Sequence, residues 1–297
     1  MKRIGLSFYF IFACFALLWG RKAGGEHLLL CGSGWNKIVI FDKSTGQIEW
    51  EHPLKRGWEC NSVDETPDGN ILFAYARGAM VVDRQHREIW NIQAPKGCEM
   101  QCARVLPNGN SLLGWCGHPS VIMEVDKHGK ILSKTEYETG IAHPHSQFRQ
   151  LNKTSKGNYL MPLFATSEVR EISPEGNLVE TYKLEGTPFT TLLKNKRFCW
   201  VACGDGHSLV LLDMKTAAVV ARYGEKDLED VRLFFVAGLC PASKGGLYIC
   251  NWQGHGGASR ENVPQIVEMD KKGRVVWRLT DKVNIGMVSD ICVLKHK

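Results

Sequence analysis

Apolar residues along this chain fall into short runs that predict β-strands. Six times, one run ends in an acidic or turn residue, passes through a short polar turn and enters a second run. The residues that end the first runs are Asp42, Asp83, Asp126, Ser173, Asp213 and Asp270. The six copies are Ile38–Trp50, Ala79–Trp90, Val121–Ser133, Val169–Glu180, Leu209–Ala221 and Gln265–Trp277. Their spacings of 41, 43, 47, 40 and 57 residues indicate one repeated unit.

A second hairpin recurs between the copies, most clearly around Pro67-Asp68-Gly69-Asn70 and Pro107-Asn108-Gly109-Asn110. Asp-Gly and Asn-Gly tolerate the positive φ angles that tight turns require. Together the two hairpins make a four-stranded antiparallel sheet, with strands a, b, c and d in chain order. Six such units predict an all-β, six-bladed β-propeller.

The two ends of the chain are expected to complete one blade. His27–Gly32 resembles a strand b with no strand a before it, and Ser289–Lys297 resembles a strand a with nothing after it. Pairing these N- and C-terminal strands would close the ring and remove its open edges. Residues 26–297 are therefore predicted to form a single propeller domain.

Residues 1–25 are expected to be a signal peptide or an N-terminal membrane anchor. Lys2 and Arg3 precede an apolar run about long enough for a signal-peptide core and short for a spanning helix. The run also contains Ile11-Phe12-Ala13-Cys14, which resembles a lipoprotein cleavage box, so a lipid anchor is an alternative. We expect an exported protein, periplasmic or at the cell surface, with no other link to a membrane.

Charge limits the kinds of partner that the protein is expected to bind, and the cysteine positions predict the state of the thiols. The net charge is +6, but the basic residues are scattered among acidic ones, so nucleic-acid binding is not expected. Ten cysteines follow Cys14, and several fall in or beside apolar strands, where a thiol packs as a small hydrophobe. We expect mostly free thiols, with Cys98 and Cys102 left open. The expected partner is a small polar or carbohydrate ligand, bound by a monomer.

Histidines concentrate in the loops of one face. In a propeller, the b–c and d–a connections share a face around the central channel. Five of the ten histidines map to this rim: His118, His143, His145, His207 and His255. His86 and His128 fall in c–d turns on the opposite face and are expected to be solvated.

The rim histidines allow three kinds of chemistry. Imidazole exchanges protons near neutral pH, binds first-row metals and hydrogen-bonds polar ligands. The candidate catalytic residues are His143, His145, His207 and His255. On an extended strand, His143 and His145 would point to one side, and with Gln147 as oxygen donor they form the candidate site for a divalent metal.

Other side chains in the same loops favour a polar ligand. Indole faces stack on sugar or aromatic rings. Arg149 suits a carboxylate or sulfate, or equally a salt bridge to a neighbouring blade. The candidate ligand-binding residues are His118, Trp58, Glu59, Glu99, Gln101, Arg149, Trp115, Asn251 and Trp252.

Three functions stay open at this point. The first is an exported propeller that binds a polar small molecule, a carbohydrate or an aryl glycoside, in a His/Trp-rich pocket at the channel mouth. The second is an enzyme that uses the rim histidines as acid, base or metal ligands: a polysaccharide lyase, a glycoside hydrolase or a sulfotransferase-like protein. The third is a protein-interaction scaffold.

The blade repeats resemble two known groups. Val39–Trp50 and Val267–Trp277 are similar to blades of quinoprotein-like propellers, and Leu106–Asn110 with Glu124–Lys130 is similar to the repeats of bacterial arylsulfotransferase propellers. The resemblance implies blade construction, in families that include quinone dehydrogenases, sulfotransferases with a catalytic histidine and scaffolds. Quinone dehydrogenases of this kind usually have eight blades, so a quinone cofactor is not expected here.

Overall fold

The computed structural model describes residues 25–224, 227–228, 230–255 and 262–295. Within them lie twenty-four β-strands and one short 3₁₀ turn, Pro144–Ser146. The strands are β1 (His27–Cys31), β2 (Lys37–Asp42), β3 (Gln47–Pro53), β4 (Ser62–Glu65), β5 (Ile71–Tyr75), β6 (Gly78–Val82), β7 (Glu88–Gln93), β8 (Glu99–Val105), β9 (Ser111–Cys116), β10 (Ser120–Val125), β11 (Ile131–Tyr137), β12 (Asn152–Lys153), β13 (Tyr159–Leu163), β14 (Glu168–Ile172), β15 (Leu178–Lys183), β16 (Thr190–Leu193), β17 (Phe198–Ala202), β18 (Leu209–Asp213), β19 (Ala218–Tyr223), β20 (Phe235–Pro241), β21 (Leu247–Trp252), β22 (Ile266–Met269), β23 (Val275–Leu279) and β24 (Asp290–Val293).

These strands form six antiparallel sheets of four strands, which confirms the predicted six-bladed propeller. Blade 1 is β24-β1-β2-β3, and blades 2 to 6 follow in chain order from β4-β5-β6-β7 to β20-β21-β22-β23. The predicted closure is also confirmed, because β24 pairs with β1 from Leu28 opposite Val293 to Cys31 opposite Asp290. The inner strands β4, β8, β12, β16, β20 and β24 are strands a, and they surround the channel.

Burial explains the hydrophobic pattern. Strands b and c lie between neighbouring blades and are buried on both faces, as in β5, β6, β9 and β10. Strands d form the outer edges and show alternating or largely exposed positions, as in β3. Continuous apolar runs therefore mark the middle strands and interrupted runs mark the outer ones.

The anchor residue of each repeat, acidic in five blades and Ser173 in blade 4, stabilises its c–d turn. In blade 3, Oδ1 of Asp126 accepts the backbone N–H groups of His128 and Lys130, each at 2.9 Å. The turn then needs one residue with positive φ, which is Gly129 at 83°. A Cβ on Gly129 would come within 2.9 Å of the Cβ of Trp90 in the preceding blade, so the glycine also permits close packing between blades.

One c–d turn makes a contact that the sequence did not predict. His86 and His128 are both exposed, as predicted. The imidazole of His86 stacks on Trp50 of blade 1, with ring centroids 5.2 Å apart. The Trp50 indole N–H also donates to the Arg84 carbonyl oxygen at 2.9 Å, so this turn of blade 2 is fastened to the outer strand of blade 1.

Two further expectations concern the N-terminal segment and the cysteines. The prediction for residues 1–25 lies outside the described residues except for Gly25. No helix in the described ranges is long and apolar enough to span a membrane. The ten cysteines of the described ranges, including Cys98 and Cys102, are free thiols.

Candidate functional site

Residues at or near the starts of the inner strands meet at one end of the channel, which we call the mouth. The b–c and d–a connections lie on this face, because every blade runs in the same direction from its inner strand. Polar side chains occupy the mouth positions of blades 1 to 4, and phenylalanines occupy those of blades 5 and 6. In blade order the residues are Ser289, Asn61, Gln101, Arg149, Phe189 and Phe235.

A chain of hydrogen bonds joins the polar side of the mouth. We call it the polar arc, made of Glu59, Asn61, Glu99, Gln101, His145 and Arg149. The Asn61 amide donates to Oε1 of Glu59 at 2.6 Å and to Oε1 of Gln101 at 3.4 Å. The Gln101 amide donates to Oε2 of Glu99 at 3.0 Å. The two buried amides therefore hold two carboxylates in place on neighbouring blades.

The protonation state of His145 follows from its partners. Arg149 has only donors, so its Nη2, 3.0 Å from Nε2 of His145, requires that nitrogen to be an acceptor. Nδ1 then carries the proton and donates to Oε2 of Glu99 at 2.8 Å. This hydrogen bond is the largest influence on the pKa of Glu99, which lies below its usual value. His145 thus links the carboxylate and the guanidinium through its two ring nitrogens.

Arg149 is the buried cation of the polar arc, with only 4% of its surface exposed. Its Nη1 donates to the carbonyl oxygens of His145 and Phe148, at 2.9 and 3.0 Å. Burial lowers the pKa of Arg149, while the charges of Glu59 and Glu99 oppose that effect. The guanidinium also lies 4.7 Å from the ring centroid of Phe164, a cation–π contact.

Phe164 begins the aromatic wall, which continues through Phe189 and Phe235 to Trp252. Phe189 and Phe235 pack edge to face with centroids 5.5 Å apart, and Phe235 and Trp252 do so at 5.3 Å. The Trp252 indole N–H donates to the Ser33 carbonyl oxygen at 2.9 Å, which connects blade 6 to blade 1. The mouth therefore has a charged, hydrogen-bonding half and an aromatic half.

Behind the mouth, the channel contains a second polar layer. Arg104 of blade 3 donates to Oδ1 of Asp290 of blade 1 at 3.2 Å and also bonds the side-chain oxygen of Gln150. Burial raises the pKa of Asp290, and Arg104 opposes this. Nε of Arg104 has no partner in the described ranges. This layer ties the closing strand β24 to the middle of the ring.

The geometry expected for the metal candidates is wrong. His143 immediately precedes the 3₁₀ turn Pro144–Ser146 and His145 lies within it, so the two do not share the alternation of a strand face. Gln147 is fully buried, and its amide makes four hydrogen bonds, with Gly117, Ser120 and Ile141. A metal at Gln147 would have to displace bonds that hold the loop of blade 3 to that of blade 4.

In the described ranges, one group of three His, Cys or acidic residues has ligand atoms within 4.8 Å of one another. It consists of His27, Asp42 and Glu49 in blade 1, at the c–d end of the blade rather than at the mouth. Nδ1 of His27 lies 2.6 Å from Glu49, so this group is satisfied by an internal ion pair.

The rim histidines separate into two groups. His118 hydrogen-bonds the Ala142 carbonyl oxygen at 2.8 Å, near His143 and His145 at the junction of blades 3 and 4. His207 bonds the carbonyl oxygen of Phe234, and His255 lies with Nδ1 2.9 Å from Oδ1 of Asp205, both at the junction of blades 5 and 6. The five predicted histidines therefore do not line a single pocket.

Three predicted ligand residues have structural contacts. Trp58 stacks on Tyr75 with centroids 3.9 Å apart, and Lys55 lies 5.1 Å from its ring centroid. Trp115 is buried in the apolar contact between blades 2 and 3. Asn251 is fully buried, and its amide bonds the backbone of Arg232, Phe234 and Pro264.

Sequence reasoning missed part of the mouth. Asn61, Ser289 and Phe189 directly precede an inner strand at equivalent positions of three blades, and Phe235 begins the inner strand of blade 6. An alignment of the six repeats at strand a would have brought them together with Gln101 and Arg149. The inner strands are short and partly polar, however, and their weak pattern concealed that equivalence.

The opposite face of the ring carries grooves of its own. One of about 750 Å³ lies between blades 4 and 5, along Thr154, Glu171, Leu193 and Met214. Another of about 750 Å³ lies between blades 6 and 1, beside Lys43, Glu268 and Trp277. Neither groove contains a residue that the sequence predicted to bind a ligand.

Comparison with known proteins identifies relatives. The family model of the Mal s 1 allergenic protein-like proteins matches residues 33–274. A Bacteroides caccae protein of unknown function, solved by crystallography, is 57% identical, with a TM-score of 0.88 over 92% of this chain and 100% of that one. No curated protein matches the chain.

More distant structures share the fold. A catalytically inactive virginiamycin B lyase from Staphylococcus aureus with quinupristin is 13% identical, with a TM-score of 0.60 over 91% of this chain and 90% of that one. A functionally unknown protein from Desulfotomaculum acetoxidans is 14% identical, with a TM-score of 0.58 over 91% and 99%. At this identity the likeness shows the propeller fold alone.

Proposed function

The chain is a propeller of the Mal s 1 allergenic protein-like family, and we propose that it is an exported protein that binds a small polar molecule at the channel mouth. The ligand we propose is a carbohydrate or an aryl glycoside, because the mouth combines hydrogen-bonding carboxylates with aromatic rings. The observation that carries the proposal is the polar arc, in which buried amides and a buried guanidinium hold Glu59 and Glu99 at the mouth.

The polar arc adds little to the stability of the fold but has hydrogen-bonding capacity to spare. Its buried amides are paired, and a paired buried polar group contributes only about 0.5–1.5 kcal/mol of net stability. In the described part of the chain, Oε2 of Glu59 and Oε1 of Glu99 have no hydrogen-bond partner. Two fixed carboxylate oxygens suit the hydroxyl groups of a sugar, while the aromatic wall suits the apolar face of a sugar ring or an aryl group.

The grooves of the opposite face support this function less well. Lys43, in the groove between blades 6 and 1, forms ion pairs with Glu26 and with Glu268. Both carboxylate oxygens of Glu171, in the groove between blades 4 and 5, accept hydrogen bonds, from Asn158 and Tyr182. The carboxylates of the polar arc, in contrast, each keep one oxygen without a hydrogen-bond partner in the described residues.

An enzyme remains the second candidate, and one observation favours it. Nδ1 of His255 lies 2.9 Å from Oδ1 of Asp205, the arrangement by which a carboxylate orients an imidazole for proton transfer. His145 is less suited to that role, since both of its ring nitrogens are engaged. A lyase, hydrolase or sulfotransferase-like activity would therefore centre on His255.

The test is a thermal-shift screen with glycans, aryl glycosides and aryl sulfates, followed by calorimetric titration of the best compound. We expect the Glu59→Gln/Glu99→Gln variant to bind at least about tenfold more weakly, since each carboxylate-assisted hydrogen bond contributes about 1.5–3 kcal/mol. The matched control is Glu136→Gln, an exposed carboxylate on β11, which should bind as the wild type does.

Other outcomes would contradict the proposal. Equal binding by the double variant would move the site away from the mouth, and no binding by any compound class would favour the scaffold. Turnover of a compound that stops in His255→Ala but continues in His145→Ala would favour the enzyme. The divalent-metal hypothesis is tested by comparing the metal content of the wild type with that of His143→Ala/His145→Ala, both purified without chelators.

A further inference from the structure

The six c–d turns provide an internal comparison. Each has one residue with positive φ, and four blades use glycine there: Gly46, Gly129, Gly176 and Gly273. Blade 5 has Ala217 at 56° and blade 2 has His86 at 66°. A side chain with a Cβ is strained in this region of φ, so a histidine at this position of the repeat requires a compensating contact.

The compensating contact is a cluster of three rings across the junction of blades 1 and 2. His86 is nearly parallel to Trp50, with an angle of 12° between ring planes. His52, two residues after Trp50 on β3, lies 5.3 Å from His86 between centroids and 5.9 Å from Trp50. His52 also touches Phe73 of blade 2, at 5.6 Å between centroids.

The two imidazoles face one another through their Nδ1 atoms, which are 3.1 Å apart. The centroid distance is close to this separation plus the two ring radii, so the lone-pair directions are nearly collinear. Collinear nitrogens at this distance share one proton in an N–H···N hydrogen bond. A single metal ion would need the lone pairs to converge at an angle instead.

The charged groups near the pair have partners of their own. On β3, β7 and the turn of blade 2 these partners form the pairs Glu49–His27, Glu51–Lys37, Glu88–Asn91, Arg84–Glu65 and Arg87–Asp83. β5 contributes no charged residue. In the described ranges, the only side-chain hydrogen bond of either imidazole is the one between them.

We propose that His52 and His86 form a pH-sensitive latch between blades 1 and 2. With at most one proton between the two Nδ1 atoms, the rings hold the turn of blade 2 against β3. A second proton places two donors and two positive charges face to face, and the turn is released. This inference does not depend on the ligand proposed for the mouth.

The direction of the pH effect follows from His52. Burial lowers its pKa, and a positive charge on His86 lowers it further. The folded protein therefore binds fewer protons than the unfolded chain below about pH 6.5, the ordinary pKa of histidine. The stabilising contribution is complete above that pH and is lost as the pH falls through the lowered pKa.

The test compares the melting temperatures of the wild type, His86→Gly and Ala217→Gly from about pH 8 to about pH 5. His86→Gly installs the residue that four other blades carry, so the variant should fold. Ala217→Gly is the matched control, because it relieves the same strain where no histidine pair exists. As the pH falls, we expect the melting temperature of the wild type to drop by several degrees more than that of His86→Gly. The difference in melting temperature between the wild type and Ala217→Gly should stay constant.

A second measurement reports on the turn directly. The indole N–H of Trp50, assigned with Trp50→Phe, should exchange with solvent several-fold faster at pH 5 than at pH 8 in the wild type, once the intrinsic pH dependence is removed. A difference in melting temperature between the wild type and His86→Gly that does not change with pH would overturn the proposal. So would a wild-type melting temperature at pH 8 that Zn²⁺ raises and EDTA lowers, without an effect on His86→Gly, since that result assigns the pair to a metal.

Discussion

Arg149 is the single residue on which the geometry of the mouth depends most. It is buried, it bonds two backbone carbonyl oxygens, and it fixes the tautomer of His145. Its charge also balances two carboxylates that would otherwise repel one another across neighbouring blades. A buried cation of this kind adds little net stability, but it favours the ionised form of the neighbouring carboxylates.

Arg149→Met should destabilise the domain by about 3 kcal/mol, because it leaves the partly buried carboxylates of Glu59 and Glu99 without their cation and two backbone carbonyl oxygens without their donor. Chemical denaturation monitored by tryptophan fluorescence measures the change. Arg149→Lys is the matched control and should lose less, since it keeps the charge but not the planar set of donors. A loss below about 1 kcal/mol in Arg149→Met would mean that the polar arc is solvated rather than held by the guanidinium.

For single residues, the sequence predicted the correct face of the ring but not several of the side-chain contacts. Glu59, Glu99, Gln101 and Arg149 all lie at the mouth, because their positions before or at the start of strand a follow from the repeat. The contacts of Trp58 and Asn251 did not follow, although their partners lie in the same blade. A loop position predicts a face of the ring, whereas a contact depends on how the loop folds against its own blade.

Among the elements, the c–d hairpins were the most predictable. Their anchor residue and left-handed residue act within a few residues of one another, so local sequence determines them. The inner strands were the least predictable. β12 has two residues and β4 has four, and both carry polar side chains because one face meets the channel. Their pairing depends on the neighbouring strand rather than on a hydrophobic pattern of their own.

The turn of blade 5 allows a prediction about this element. Ala217 adopts a positive φ, which costs about 1–2 kcal/mol for a residue with a Cβ. Glycine removes that strain and adds about 0.4–1 kcal/mol of unfolded-state entropy, so Ala217→Gly should stabilise the domain by roughly 0.5–1 kcal/mol. Thermal unfolding at neutral pH measures the difference.

The reverse substitution in blade 3 is the control. Gly129→Ala introduces the same strain and places a Cβ 2.9 Å from the Cβ of Trp90, so it should destabilise by about 3 kcal/mol. If both variants have wild-type stability, the left-handed position has no energetic role in the blade.

Across the whole molecule, the ring is held closed by a strand of four residues. β24 supplies the inner strand of blade 1, and Asp290 at its start reaches two other blades. Its carboxylate accepts the backbone N–H of Val63 in blade 2 at 2.9 Å and bonds Arg104 of blade 3. A propeller buries each blade against two neighbours, so an open ring exposes two blade faces at once.

Removal of β24 should therefore affect the entire domain rather than one blade. Deletion of Ile291–Lys297 removes most of the strand, leaves β1 as an unpaired edge and exposes the fully buried site of Ile291. Large-to-small changes at one such site cost about 2–5 kcal/mol, against a total stability of about 5–15 kcal/mol for a typical domain. We expect the truncated protein to be unfolded or to melt at a far lower temperature.

Because truncation can abolish expression, Ile291→Ala provides a milder form of the test, with Val276→Ala at an exposed position of β23 as its control. Cooperative unfolding with a lowered midpoint in Ile291→Ala alone would show that closure stabilises all six blades together. A truncated protein as stable as the wild type would mean that the ring does not need its last strand.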